Sequence, residues 1–259
     1  MDEIIPYFQN SSVTIYNEDF LTINLLEGGI DLIITSPPYN LDKPYPETDD
    51  NITYDEYLSF SRKWLLKALS LMKPDGRMCL NIALDRIHNS IYSDILQVAK
   101  TVGWKYYNSL IWYKGVSSRT TQWGSFCSAS APCSAPSVEM IMLLYKDQWK
   151  KRERGQSSIS KEEFVRWSEG FWKIIPERAI KNPHVAPFPE ELPYRCIKLF
   201  SYIGDVVLDP FMGSGTTLLS CLKNGRKGIG VEISKQYCDM AIKRLEKRNY
   251  VQTSEEWMK

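Results

Sequence analysis

Residues 205–217 read DVVLDPFMGSGTT and run directly into the amphipathic stretch TTLLSCLKNG at 216–225. A short apolar run, then Gly213 and Gly215, then helical spacing describes a strand-to-helix turn of an α/β sheet. Glycines at such a turn let the backbone approach a ligand closely and aim helix N-terminal amides at it. The phosphate loop of nucleotide hydrolases is excluded, because Thr216 and Thr217 follow Gly215 where that loop needs a lysine. On its own, the turn is as compatible with a plain structural bend as with a ligand loop. The next strand, GIGVEI at 228–233, ends on Glu232. An acid at a strand tip roughly 20 residues after a glycine turn is where a ribose diol is held. Together the two features favour an adenosine-containing cofactor.

Working outward, the same alternation of strand and helix fills the chain. VTIYNED (13–19), DLIITS (31–36), RMCLNIAL (77–84), WKYYNSLIWYK (104–114) and VEMIMLLYK (138–146) read as strands. Tyr54–Met72, Ser93–Thr101, 190–201 and Lys235–Arg248 carry helical spacing. This pattern predicts a doubly wound α/β sheet with helices on both faces. Gly115 to Pro136 has neither period and reads as a loop. Residues 147–182 are polar and rich in aromatics, and are expected to form an insertion between 1–146 and 183–259, which together make the main domain. Phe164, Trp167, Phe171 and Trp172 fall at helical spacing there, which favours a small core over base contacts for most of them.

Composition bounds the function. With 259 residues, 43% hydrophobic and 24% charged, the chain is an ordinary globular protein, which excludes long disorder and coiled coil. The N-terminus MDEIIPYFQN is acidic, and no apolar run approaches the roughly 20 residues that span a bilayer, so a cytoplasmic protein with no membrane partner is expected. No two of the six cysteines form a C-x-x-C pair, and neither His88 nor His184 has a metal-like partner nearby, so no metal site is expected. Lys+Arg number 32 against 31 Asp+Glu, so any nucleic-acid contact must come from local patches. One such patch is 146–154, where Lys146, Lys150, Lys151, Arg152 and Arg154 face only Asp147 and Glu153.

The strand DLIITS leads into Thr35-Ser36-Pro37-Pro38-Tyr39-Asn40. Two prolines fix the backbone and remove two donors, leaving carbonyls free to accept. Ser36 adds a hydroxyl acceptor and Tyr39 a flat ring, a set suited to a planar ligand bearing an amino group.

TSPPYN followed by DPFMGSGTT and GVEIS resembles the β-class amino-methyltransferases of bacterial and archaeal DNA, and the resemblance spans nearly the whole chain. It implies a Rossmann-like S-adenosylmethionine-dependent methyltransferase sheet, circularly permuted so that the catalytic motif precedes the cofactor motif, with a small inserted target-recognition region. The implied reaction moves a methyl group from S-adenosyl-L-methionine to the exocyclic amino group of a flipped base in double-stranded DNA. Catalytic residues are expected at Ser36, Pro37, Pro38 and Tyr39, with Tyr39 stacked on the base. Cofactor contacts are expected from Asp19, Thr35, Ser36, Phe188, Asp209, Phe211, Gly213, Ser214, Gly215, Thr216, Thr217, Glu232 and Ile233. Asp209 is expected to meet the cofactor ammonium and Glu232 the ribose. HVAPFPEELP resembles the family's segment beside the cofactor, with Val185 in place of the usual proline. DNA contacts are expected from Arg119, Gln122 and Ser125 and from Lys150, Lys151, Arg152 and Arg154. Ser36 leans the reading to cytosine N4, while the Asn40-Leu41 tail keeps adenine N6 open. A cognate restriction endonuclease and a homodimer are further implied partners. Two readings from other classes remain: a nicotinamide dehydrogenase, which leaves Ser36 to Tyr39 without a role, and a DNA-binding module without catalysis.

Overall fold

The computed structural model describes residues 4–40, 52–85, 89–115, 124–133, 137–176 and 189–256. Its elements in chain order are β1 (Phe8–Gln9), β2 (Val13–Tyr16), β3 (Ile30–Thr35), α1 (Tyr54–Leu71), β4 (Met72–Ala83), α2 (Ile91–Thr101), β5 (Lys105–Tyr113), β6 (Val138–Tyr145), α3 (Lys161–Ser168), β7 (Phe171–Lys173), α4 (Glu191–Phe200), β8 (Val206–Asp209), α5 (Thr216–Lys223), β9 (Lys227–Val231) and α6 (Lys235–Glu256). The described strands form one sheet in the order β1-β2-β9-β8-β3-β4-β6-β5-β7. Strands β2, β9, β8, β3 and β4 run parallel, β6 is antiparallel to both β4 and β5, and β7 pairs parallel with β5.

β3 sits at the centre and is buried along its whole length, which is why IDLIIT is a near-continuous apolar run. Its residues alternate between two cores. Ile33 packs with Trp64, Leu65 and Ala68 of α1, while Leu32 and Ile34 pack with Cys196 and Ile197 of α4 and Cys221 of α5. The sheet is therefore covered on both faces, as the strand-helix alternation predicts. α1 starts at a capping box in which Thr53 and Glu56 satisfy each other's backbone amides.

The helix after β3 and the helix after β8 lie on opposite faces, yet β3 and β8 are hydrogen-bonded neighbours. That is a topological switch point, and in doubly wound sheets a crevice opens there at the carboxyl ends of the strands. Thr35 and Asp209 stand at those two ends.

Two expectations change. Residues 147–176 are built into the sheet: Trp172 of β7 pairs in register with Trp112 of β5, is fully buried, and donates Nε1 to the Trp167 carbonyl at 2.9 Å. Trp167 is buried as expected, but Phe164 and Phe171 are exposed, because α3 ends at Ser168 and a strand, not a helix, carries Trp172. The helical spacing across 164–172 is thus coincidental.

The second change concerns the basic run. β6 is antiparallel, so its C-terminal end, followed by 146–154, lies at the sheet edge opposite the switch-point crevice. From the Arg77–Tyr145 pair to the Ala83–Glu139 pair the strands travel six residues, about 20 Å. Lys151 is an internal cation there: its side chain is 8% exposed and pairs with Asp31 at 3.1 Å and Asp205 at 3.4 Å. Asp31 also takes Lys73 at 2.8 Å and the Val206 amide at 3.0 Å. Burial opposes ionisation of Asp31, but these partners outweigh it and hold its carboxyl below the usual value. Lys146 donates to the Met72 carbonyl, and the Arg152 amide to Asp75. Lys150, Arg152 and Arg154 are exposed, on the wrong edge for a base held at Ser36.

Candidate active site

Three connected groups of side chains occupy the crevice edge. The innermost joins the two central strands. Thr35 Oγ1 donates to Asp209 Oδ1 at 2.9 Å, Thr217 Oγ1 donates to Oδ2 at 2.6 Å, and the Phe211 amide donates to Oδ1 at 3.2 Å. Asp209 is fully buried, and burial lifts its pKa to about 6 against the pull of those three donors. Both oxygens are engaged, so Asp209, Thr35 and Thr217 serve one another: they lock β3, β8 and the start of α5 together. The expected contact between Asp209 and a cofactor ammonium is replaced by this clamp.

Directly after Thr35 comes the second group. The rigid Pro37-Pro38 pair returns Tyr39 so that its hydroxyl meets Ser36 Oγ at 2.6 Å. Tyr39 Oη is also 3.0 Å from the Asn81 carbonyl, 2.9 Å from Asn81 Nδ2 and 3.2 Å from Glu139 Oε2. Asn81 Nδ2 donates to Glu139 Oε2 at 2.5 Å, and Lys114 pairs with Glu139 Oε1. Burial first, then the Glu139 charge, holds the Tyr39 phenol well above its ordinary pKa, so it stays protonated. Asn40 adopts a left-handed conformation, φ 55°, and clamps Ile52 through both its amide atoms.

The third group surrounds the glycine turn. Glu232 Oε2 accepts from the Gly213 amide at 2.9 Å and Oε1 from the Ser234 amide at 2.9 Å. Asn17 holds the carbonyls of Glu232 and Ile233, and Ile233 is 42% exposed beside them. Arg244 of α6 reaches the turn with Nη1, donating to Ser214 O at 2.6 Å, Ser214 Oγ at 2.8 Å and Thr216 Oγ1 at 3.2 Å. Phe211, half-buried, packs edge-on against Trp64 at 5.5 Å and against Phe20 at 6.0 Å. Phe20 follows Asp19, whose Oδ1 accepts from the Leu21 amide, so the segment after β2 reaches the same edge.

The structure thus brings together Asp19, Thr35, Ser36, Pro37, Pro38, Tyr39, Asp209, Phe211, Gly213, Ser214, Gly215, Thr216, Thr217, Glu232 and Ile233. Phe188, Arg119 and Gln122 lie outside the described residues, as do Val185, His88 and His184. Ser125 Oγ is committed within its own loop, donating to Ser128 O and accepting from the Ala131 amide. Asn81, Glu139, Lys114, Arg244 and Asn17 emerge only here. The one trace of Glu139 and Lys114 in the sequence is a charge at the end of an otherwise apolar strand.

The donor set fits an adenosine-bearing sulfonium. A carboxylate offers about four acceptor positions, so Glu232 can take diol hydroxyls as well as the two amides. The Phe211 ring supplies an apolar wall, and carboxylates on the edge suit a cation.

The family model described as "DNA methylase" matches residues 30–243. The chain is 50% identical over 170 residues to the type II methyltransferase M.MjaVI of Methanocaldococcus jannaschii, covering 64% of this chain and 88% of that protein. It is 33% identical over 234 residues to M.HpaI of Haemophilus parainfluenzae, covering 86% and 70%. Among solved structures, the DNA modification methylase TTHA0409 of Thermus thermophilus, complexed with S-adenosyl-L-methionine, superposes with TM-score 0.70 at 26% identity over 89% of this chain and 93% of that one. The PvuII DNA methyltransferase, described as cytosine-N4-specific, shares the fold with TM-score 0.70 at 21% identity, over 92% and 87%.

Proposed function

The chain belongs to the DNA methylase family, and from that premise we propose that it transfers a methyl group from S-adenosyl-L-methionine to an exocyclic amino group in double-stranded DNA, at cytosine N4. Membership removes the dehydrogenase reading, and the intact Ser36-to-Tyr39 motif argues against a non-catalytic DNA-binding module. The observation that carries the proposal is the Thr35–Asp209 bond at 2.9 Å. It ties the end of the Ser36 strand to the strand leading into the glycine turn, so a ligand on the turn and a base at Ser36 are neighbours.

S-adenosyl-L-methionine supplies an electrophilic methyl when bound, with Glu232 on its ribose and the Gly213–Gly215 turn at its amino-acid end. The chain's own work is on the base. An amino group conjugated to the ring is a poor nucleophile, because its lone pair is delocalised. Ser36 Oγ and the Pro37 carbonyl accept its two hydrogens and turn the lone pair out of conjugation, so catalysis is positioning and preorganised electrostatics. A paired base cannot reach this crevice, so the base is flipped. The chain leaves the sheet at the crevice edge after β3, β4, β5, β7, β8 and β9, so the loops that read DNA belong there, including the Ser125 loop.

Cytosine N4 rests on Ser36. Adenine N6 is the second reading, resting on Asn40; that residue, however, already has a structural task in clamping Ile52. A cytoplasmic modification enzyme with a cognate endonuclease, acting as a homodimer, completes the proposal. Among the described residues, no helix is long and apolar enough to cross a membrane. Incubating DNA with labelled cofactor and digesting it to nucleosides for mass spectrometry tests both base and reaction. N4-methylcytosine is expected, N6-methyladenine replaces the base assignment, and an unmodified digest overturns the function. Ser36→Ala is expected to lose transfer by about 10²-fold or more while cofactor binding survives.

A further inference from the structure

A serine hydroxyl is both donor and acceptor, so nothing intrinsic makes Ser36 present a lone pair to an amino group. The surrounding hydrogens decide it. Asn81 Nδ2 only donates, so Tyr39 Oη accepts from it at 2.9 Å. The single phenol hydrogen then goes to an acceptor, the Glu139 carboxylate at 3.2 Å or the Asn81 carbonyl at 3.0 Å. With that hydrogen committed, the 2.6 Å contact between Ser36 and Tyr39 is satisfied only if Ser36 donates. Its lone pairs are left facing away from the network. Asn81 is itself oriented by the carboxylate: Nδ2 lies 2.5 Å from Glu139 Oε2, while Oδ1 is buried without a partner. Leaving a buried amide oxygen unpaired costs about 1–3 kcal/mol. The network is therefore arranged around the anion.

The geometry points to Glu139, on the strand antiparallel to β4, as the positioning residue that makes Ser36 an acceptor and takes up the proton shed by the base amino group. This rests on the methyltransfer reading above. As the nitrogen–methyl bond forms and the sulfur–methyl bond breaks, the nitrogen becomes cationic and must lose one hydrogen. Ser36 Oγ takes that proton as its own passes to Tyr39 Oη, and the Tyr39 proton passes to Glu139 Oε2. The methylated amine, both hydroxyls and the thioether end neutral, and Glu139 ends as a carboxylic acid that returns the proton to water. Lys114 on Oε1 keeps the carboxylate ionised beforehand. Tyr39 thereby acquires a task for its hydroxyl in addition to any for its ring.

The test is single-turnover methyl transfer with Glu139→Gln, Glu139→Asp and Tyr39→Phe, with cofactor and DNA affinities measured by calorimetry on the same samples. Glu139→Gln is expected to slow transfer by about 10²-fold or more with both affinities within about twofold of wild type. Glu139→Asp recovers part of the rate, and Tyr39→Phe, which keeps the ring, falls comparably to Glu139→Gln. The double variant falls no further than Glu139→Gln alone, because one chain is cut twice. A wild-type rate in Glu139→Gln overturns the inference, and so does a rate loss that tracks lost cofactor affinity, the mark of a plain β5–β6 ion pair. Should Glu139→Gln fail to fold, an unchanged rate in Tyr39→Phe overturns it instead. A wild-type chain that binds cofactor but never methylates DNA strikes at the proposed function, not at this network.

Discussion

Asp209 shows how far a side chain's surroundings, more than its type, set its role. In the unfolded chain its carboxyl titrates near 3.8, whereas in the fold it titrates at about 6 because burial outweighs three donors. Between those values the folded chain binds more protons than the unfolded one. The stability this group contributes is complete below about pH 4 and is lost as pH rises through 6, a difference of about 3 kcal/mol. Asp209→Asn removes that dependence, so urea unfolding across pH 4 to 7 should show the variant gaining on wild type by roughly that amount; parallel curves contradict the assignment. At this scale the sequence located most of the site, since Ser36, Gly213 and Glu232 sit in short local motifs. It misjudged the partners of Thr35, Thr217 and Asp209, because which oxygen faces which hydroxyl depends on β3 and β8 being neighbours although far apart in the chain.

Elements set how firmly the glycine turn is held. Gly215 has φ 78°, and a Cβ there meets the Ala241 Cβ of α6 at 2.7 Å. Gly215→Ala should therefore cost about 1–3 kcal/mol in stability from overpacking and backbone strain together, read as a lower urea midpoint. Arg244 on the same helix fastens Ser214 and Thr216. Arg244→Met leaves the fold intact but frees the turn, and should weaken cofactor binding by about tenfold, the worth of one orienting hydrogen bond. Unchanged affinity by calorimetry counts against that role. Neither relation is visible in the sequence of α6, where Ala241 and Arg244 look like ordinary helix residues. β7 was missed for a similar reason: three residues carry too little period to signal a strand, and only pairing with β5 makes Phe171–Lys173 one.

At the scale of the whole molecule, near-neutral net charge conceals a division between the two edges of the sheet. The basic run after β6 lies at the edge away from the crevice, with Lys151 buried between Asp31 and Asp205. Lys151→Met strands two carboxylates and should cost about 3–5 kcal/mol, seen as a lower melting temperature. Replacing the exposed Lys150, Arg152 and Arg154 with alanine should leave DNA affinity and its salt dependence unchanged; a shallower salt slope returns these residues to the DNA interface. The sequence by itself determined the doubly wound sheet, the permuted order of its motifs, and the residues of the Ser36 and glycine-turn segments. Each of these rests on local spacing: strand and helix periods, glycines at a turn, prolines after a strand. Only the tertiary structure decided which edge of the sheet each charge occupies, that Asp209 is a clamp, and that Glu139 and Lys114 stand behind Tyr39. Strand direction and strand order govern those outcomes, and one antiparallel strand, β6, carries Glu139 to the crevice while sending the basic run to the far edge.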